Sequence, residues 1–343
     1  MAALVFLITG TTSGIGLALV QHVLARGDKV IATGRSIHTR LADLKAQSRP
    51  DQLALLELDI TSPPSVLADK AKEAWSIFGH IDILLNNAGM SAMCSAEEAS
   101  EQFISTMFSV NFTGPLNVTQ AFLPYMRSHA AAAAAAATSS SVRSRPVIAY
   151  TSSSSFWTPL PFMSHYAASK AALSAYVESL GSELESLGVD VVAFECGGCP
   201  THLGQPRAGT VTDNNKSSSS SSTSEIQISA PTKMPEVYGE GVGKLVGMFT
   251  RDPMAFMPGD LERVAETMVD VLKKDGRMKE RGLGWSKRVV IGSDAWESVK
   301  VRCEQMLVLL ERWKAVSWGT DRDGVRGGAE GDYLKWGDLL GDL

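Results

Sequence analysis

Unbroken apolar runs alternate with stretches of helical spacing along most of the chain. Ala3–Thr9, Lys29–Thr33, Leu53–Leu58, Ile81–Leu85, Pro146–Thr151, Val189–Phe194 and Arg288–Ile291 read as strands. Ile15–Arg26, Leu41–Gln47, Val66–Phe78, Glu97–Met126, Tyr166–Leu187, Leu261–Lys274 and Ala295–Trp313 read as helices. The strands are continuous Val, Ile, Leu and Phe rather than alternating, so both faces of their sheet must be covered, as crossover helices between parallel strands do. The pattern predicts an α/β fold, a doubly wound parallel sheet of about seven strands.

Two stretches interrupt this rhythm. Ala130–Ala137 followed by Thr138-Ser-Ser-Ser141 predicts a helix prolonged by alanine and released by serine, an insertion over about 130–145. Ser217–Ser222 lies in a polar stretch of about 208–230 with too little apolar content to pack, a second surface insertion. Beyond it Val242, Leu245, Val246 and Phe249 recur at helical spacing, either as core or as part of a small helical substrate lid over about 202–258. Residues 1–318 are expected to form one domain and the Gly- and Asp-rich 319–343 a peripheral tail.

The first strand runs into Thr9-Gly10-Thr-Thr-Ser13-Gly14-Ile15-Gly16 and then a helix. Such a turn lets backbone approach a pyrophosphate and aims the helix N-terminus at it, which makes Thr9, Gly10, Ser13, Gly14, Ile15 and Gly16 candidate cofactor residues. Dinucleotide sites usually carry Asp or Glu about 20 residues further on, for the adenosine 2′-hydroxyl. Here the second strand is followed by Gly34-Arg35. A guanidinium pairs with a 2′-phosphate that a carboxylate would repel, so the sequence favours NADP(H) over NAD(H). Asp59, closing the third strand, is a candidate for the adenine amino group, and Asn87, Ala88 and Gly89, closing the fourth, for the passage beside the ribose.

Hydride delivery to a carbonyl leaves negative charge on oxygen, which demands a nearby proton donor. Tyrosine, with an ordinary pKa of about 10, needs a neighbouring cation to serve. Tyr166 and Lys170 stand one helical turn apart at the start of the helix that follows the fifth strand. A hydroxyl from Thr151-Ser-Ser-Ser-Ser155, at that strand's end, could stabilise the developing oxyanion.

Thr9-Gly-x-x-x-Gly-x-Gly16, Asn86-Asn-Ala-Gly89, a strand-end serine and Tyr166-x-x-x-Lys170, in this order over about residues 3–318, resemble the short-chain dehydrogenase/reductase superfamily. Val30-Ile-Ala-Thr-Gly-Arg35, Phe256-Met-Pro-Gly-Asp260 and Ile291-Gly-Ser-Asp-Ala295 resemble its branch of hydroxysteroid-dehydrogenase-like and acyl-dihydroxyacetone-phosphate-reductase-like proteins. The resemblance implies a Rossmann fold, with Tyr166 as proton donor in reduction and Lys170 as its pKa modulator and nicotinamide-ribose ligand. It selects Ser153 as the catalytic serine, with Ser152 and Ser154 as alternatives, Asn111 as the helix asparagine that orders a relay water, and Thr201 as the carboxamide ligand. One departure is Glu195-Cys-Gly-Gly-Cys-Pro-Thr201, where relatives usually have Pro-Gly at the positions of Cys196-Gly197.

Composition narrows the partners. A net charge of −5 with dispersed Lys and Arg argues against nucleic acid, and no apolar run reaches the roughly 20 residues of a membrane span, so a cytoplasmic protein is expected. Cys196 and Cys199 have redox or half-zinc spacing, but no second ligand pair accompanies them, so no metal is expected. Met90, Met93, Phe156, Trp157, Phe162, Met163, Leu203, Met234, Tyr238 and Phe249 flank the site and suggest an apolar pocket. The expected activity is NADPH-dependent interconversion of a ketone and a secondary alcohol on a lipophilic small molecule, steroid-, lipid- or polyketide-like, by a chain that pairs as a homodimer. The alternative is a catalytically silent NADP-binding sensor or scaffold.

Overall fold

The apolar runs become seven strands of one parallel sheet. A computed structural model describes residues 3–136, 145–201, 238–240, 244 and 257–320. The strands are β1 (Val5–Ile8), β2 (Lys29–Gly34), β3 (Leu53–Glu57), β4 (Ile83–Asn86), β5 (Val147–Ser153), β6 (Asp190–Cys196) and β7 (Arg288–Ile291), in the order β3-β2-β1-β4-β5-β6-β7. Every pairing is parallel. The order reverses between β1 and β4, where doubly wound sheets open a crevice at their C-terminal edge.

The helices are α1 (Gly14–Ala25), α2 (Ile37–Arg40), α3 (Ala42–Gln47), α4 (Pro64–Phe78), α5 (Glu101–Phe108), α6 (Gly114–Ala136), α7 (Ser164–Glu185), α8 (Leu261–Lys273), α9 (Gly276–Glu280) and α10 (Ser293–Trp318). Side chains alternate across the strands and build two cores. Leu7, Ile31, Leu84, Ile148 and Ala193 face α4, α6 and α7, whereas Phe6, Ile8, Val30, Leu85 and Phe194 face α1 and α8. Because both faces are apolar, β1, β4 and the core of β5 are wholly buried, as the unbroken runs require.

Two helical expectations change. The single helix expected over Glu97–Met126 is α5 and α6 joined by a π-helical turn, Ser109–Thr113, which adds a residue to the ladder and turns Asn111 fully inward. Gly114 is required there, since a Cβ would stand 2.7 Å from the Ser109 carbonyl oxygen and 3.1 Å from that of Ile60. The polyalanine stretch does prolong α6, through Ala136. The C-terminal helix is longer than its apolar spacing indicates, and from Lys300 to Trp318 every residue except Met306 is exposed.

Most of the expected lid, including Leu203, Met234, Val242, Leu245, Val246 and Phe249, lies outside the described residues, as do the 208–230 insertion and residues 137–144 and 321–343. None of the described helices is long and apolar enough to cross a membrane.

Asp82 anchors the opposite, N-terminal edge of the sheet. Its carboxylate accepts the Val5 amide at 2.8 Å and lies 3.0 Å from His129 Nε2 and 3.3 Å from His80 Nε2. Burial opposes its ionisation, but the His129 contact and the Val5 amide outweigh that and hold its pKa below the ordinary value. A depressed carboxylate adds stability above its unfolded pKa of about 4 and loses it as pH falls through the folded value. Asp82→Asn is therefore expected to cost about 1–3 kcal/mol at neutral pH and to flatten the loss of stability below about pH 4, measured by denaturant titration across pH.

Candidate active site

The strand-to-helix turn after β1 is built around the absence of side chains. Gly10 has φ +70°, and a Cβ there would stand 2.7 Å from the Ala88 Cα; one on Gly16 would meet the Gly10 carbonyl oxygen at 2.2 Å. Gly14 has φ +57° and lies under Thr201, whose Cγ2 would be 3.2 Å from a Cβ. Ser13 opens α1 in extended backbone without capping it through its side chain, and the first turn holds no acidic residue. The cradle and the helix end, with the Gly14, Ile15 and Gly16 backbone around it, fit an anionic pyrophosphate.

The end of β4 locks this turn. Thr9 Oγ1 accepts the amides of Asn87 and Ala88, both at 3.0 Å. Asn87 Nδ2 returns to the carbonyls of Thr9 at 3.0 Å and Gly10 at 3.3 Å, while its Oδ1 accepts the Thr151 hydroxyl at 3.1 Å. Asn87 thus joins the ends of β1, β4 and β5, a stabilisation of the sheet edge expected from its place in the strand-end turn, with Thr151 as the partner that only the fold supplies.

Opposite the cradle, the N-terminal part of α7 carries Tyr166 and Lys170 inward, both nearly completely buried. Burial pushes the Tyr166 phenol up to about 12, and the Ser153 hydroxyl, hydrogen-bonded to it, works in the opposite direction. The same burial brings Lys170 down to about 8, and its Nζ donates to the Thr151 carbonyl at 2.8 Å. Of the three candidate serines, Ser152 is buried against Ser174 at 2.8 Å and Ser154 reaches the Cys196 carbonyl at 3.4 Å, which leaves Ser153 at the tyrosine.

Asn111 closes the site from the π turn. It clamps both the amide and the carbonyl of Met90 at 2.9 Å and reaches Ser169 Oγ at 3.1 Å. Gly89 leaves room between it and the lysine, since a Cβ there would be 3.4 Å from Asn111 Oδ1 and 3.6 Å from Lys170 Nζ. Met90, Ala92 and Met107 pack against Tyr166, with Phe103 and Met163 beside them. Ser169 carries no motif of its own; the fold brings its hydroxyl to Asn111.

The expected nucleotide-end residues stand further out. Arg35 is exposed after β2, and the next residue, Ser36, has φ +51° and gives its amide to Glu57 Oε1 at 3.1 Å. Asp59 is only partly exposed, its Oδ1 accepting the amide and hydroxyl of Thr61 at 2.9 and 2.7 Å. Burial raises Cys196 to about 12 and Cys199 to about 11, so both are thiols at neutral pH and lack the thiolate character of a reactive pair.

Comparison with known proteins agrees with this geometry. The family model described as short chain dehydrogenase matches residues 4–211. The chain is 32% identical over 213 residues to human 17-beta-hydroxysteroid dehydrogenase type 1, covering 59% of this chain and 58% of that one. To rat dehydrogenase/reductase SDR family member 7B it is 30% identical over 206 residues, covering 58% and 59%. It therefore spans somewhat under two thirds of the length of these relatives. A solved short-chain dehydrogenase from Streptomyces avermitilis superposes with a TM-score of 0.72 at 27% identity, covering 94% of this chain and all of that one. A glycine cradle locked to β4, facing a buried tyrosine and lysine on α7, together with these matches, makes the chain a member of the short-chain dehydrogenase/reductase family.

Proposed function

We propose that the protein is an NADPH-dependent reductase that interconverts a ketone and a secondary alcohol on a lipophilic small molecule. The observation that carries this reading is the buried Tyr166 hydroxyl, hydrogen-bonded to Ser153 and one helical turn from Lys170. When bound in the Gly10–Gly16 cradle, the cofactor supplies or accepts the hydride.

In reduction, Ser153 donates to the substrate oxygen, and Tyr166 donates the proton as charge develops there. A phenol held near 12 keeps its proton at physiological pH and is ready as the acid. The proton that Tyr166 gives up is replaced from the side of Lys170, which is an ammonium below about 8 and donates to the Thr151 carbonyl. Asn111, with Ser169 and the Met90 backbone as partners, holds the far side of this relay. At the adenosine end, Arg35 would pair with the 2′-phosphate and Asp59 with the adenine; at the nicotinamide end, Thr201, above Gly14, would hold the carboxamide. The apolar wall of Met90, Met107 and Met163, with Phe162 edge-to-face against Tyr238 at 5.2 Å, favours a lipophilic ketone.

A panel of methyl ketones, β-ketoesters and steroid ketones, followed by NADPH oxidation at 340 nm, tests the reading. Tyr166→Phe is expected to lower turnover by at least about a hundredfold while the NADPH Kd stays within about twofold. NADPH binding with no turnover of any member would favour the silent sensor instead. As Lys170 loses its proton, kcat/KM for reduction is expected to fall above about pH 8, a limb that reports the free enzyme. Arg35→Ala is expected to reduce the preference for NADPH over NADH by about tenfold or more, and an unchanged preference would remove the case for NADP.

A further inference from the structure

A buried carboxylate near the site has no part in the chemistry above. Glu195, on β6 beside Cys196, is 1% exposed and shares the face of Val191 and Ala193, toward α7. Its Oε1 accepts Arg288 Nε at 2.6 Å, and its Oε2 accepts Trp157 Nε1 at 2.8 Å. The Arg288 guanidinium also lies over the rings of Trp157 and Phe156, 4.8 and 5.2 Å from their centroids, and those two rings stack at 5.3 Å. Nη1 of the same guanidinium reaches Glu178 on α7 at 3.3 Å. A carboxylate so deep in a sheet costs several kcal/mol unless it is paired and hydrogen-bonded, and an aliphatic side chain would fill the position at less cost.

The chain segment this knot holds is the one that carries the serine. Ser153 ends β5, a 3-10 turn occupies Ser154–Phe156, and Trp157 follows. Within that turn Ser153 Oγ accepts only the Ser155 amide at 3.2 Å, and Ser154 Oγ is 3.4 Å from the Cys196 carbonyl. The first contact is local, and the second, across to β6, is long. A closer side-chain anchorage to β6 and β7 comes through Trp157 and Phe156, and Ser152 and Ser153 register against Glu195 and Cys196 across the same strand pair.

We infer that Glu195, Arg288 and Trp157 form a positioning network that holds the Ser153 hydroxyl at Tyr166, so that the β6–β7 pair sets the geometry of the proton donor. The inference rests on the reductase reading for its kinetic consequence, not for its structural one. None of the three touches the reacting atoms; each acts through the turn. Trp157→Phe removes the indole donor but keeps a ring for Arg288, and Glu195→Gln keeps an acceptor for Trp157 but removes the ion pair.

Two readouts separate the outcomes. The first does not need turnover: protein labelled with 3-fluorotyrosine gives six 19F resonances, one for each tyrosine, and Tyr166→Phe identifies that of Tyr166. Ser153→Ala, which removes the hydrogen bond, is expected to move that resonance and raise its titration midpoint. Trp157→Phe and Glu195→Gln are expected to move both in the same direction, with Lys170, Cys196 and Cys199 the other titrating groups near the phenol. The second is kinetic, with the best ketone of the panel above: each variant is expected to lose about tenfold in kcat with the cofactor Kd within about twofold. Variants that fold, melt earlier, and leave both the Tyr166 resonance and kcat as in wild type would show a merely structural knot and overturn the inference. If no ketone is turned over, the reductase reading fails, and the fluorine titration alone still decides the network.

Discussion

Everything at the catalytic edge depends on the exchange of hydrogen bonds between Thr9 and Asn87. The Thr9 hydroxyl takes two amides from the end of β4, and the Asn87 amide group gives two bonds back to carbonyls of the glycine turn. Neither strand could hold that geometry alone, because a turn of three glycines has little of its own to fix it. The exchange sits where the strand order reverses and the crevice opens. Through Thr151 it extends to β5, whose carbonyl holds the lysine and whose last residue is the serine at the tyrosine.

Burial then sets the chemistry. The low-dielectric pocket that orients Tyr166 and Lys170 disfavours the charged form of each, raising the phenol and lowering the amine. This suits the proposed reduction, which would begin with a protonated tyrosine and need that proton replaced afterwards. The same desolvation keeps Cys196 and Cys199 as thiols, so the cysteine of the β6 turn acts as a small buried side chain. The Glu195 carboxylate is different: it is kept in the core edge by Arg288 and Trp157, and the knot reaches toward the same tyrosine from the other side of β5.

The glycine turn, the asparagine after β4, the serine run and the tyrosine–lysine pair were legible because each is a local requirement of backbone or chemistry written in a few adjacent residues. Gly10, Gly14 and Gly16 are where Cβ atoms cannot fit, and Tyr166 and Lys170 share a helix face. The choice of Ser153 was legible only through family spacing, since the four serines are chemically alike; packing against Ser174 and the Cys196 carbonyl is what separates them. The π turn around Asn111 was not legible, because one extra residue per turn leaves the helical apolar spacing almost unchanged.

The sequence by itself therefore determined the class of fold and singled out the candidate groups that the fold brings to one edge, since hydrophobic period and short motifs are properties of neighbouring residues. Only the tertiary structure decided what surrounds those groups. It turned the Lys170 ammonium onto a strand carbonyl, gave Tyr166 a serine as its acidifying neighbour, and brought Glu195, Arg288 and Trp157 together from three separate segments. The reason is physical: desolvation and long-range hydrogen bonding depend on what the folded chain packs around an atom, and no local pattern encodes that.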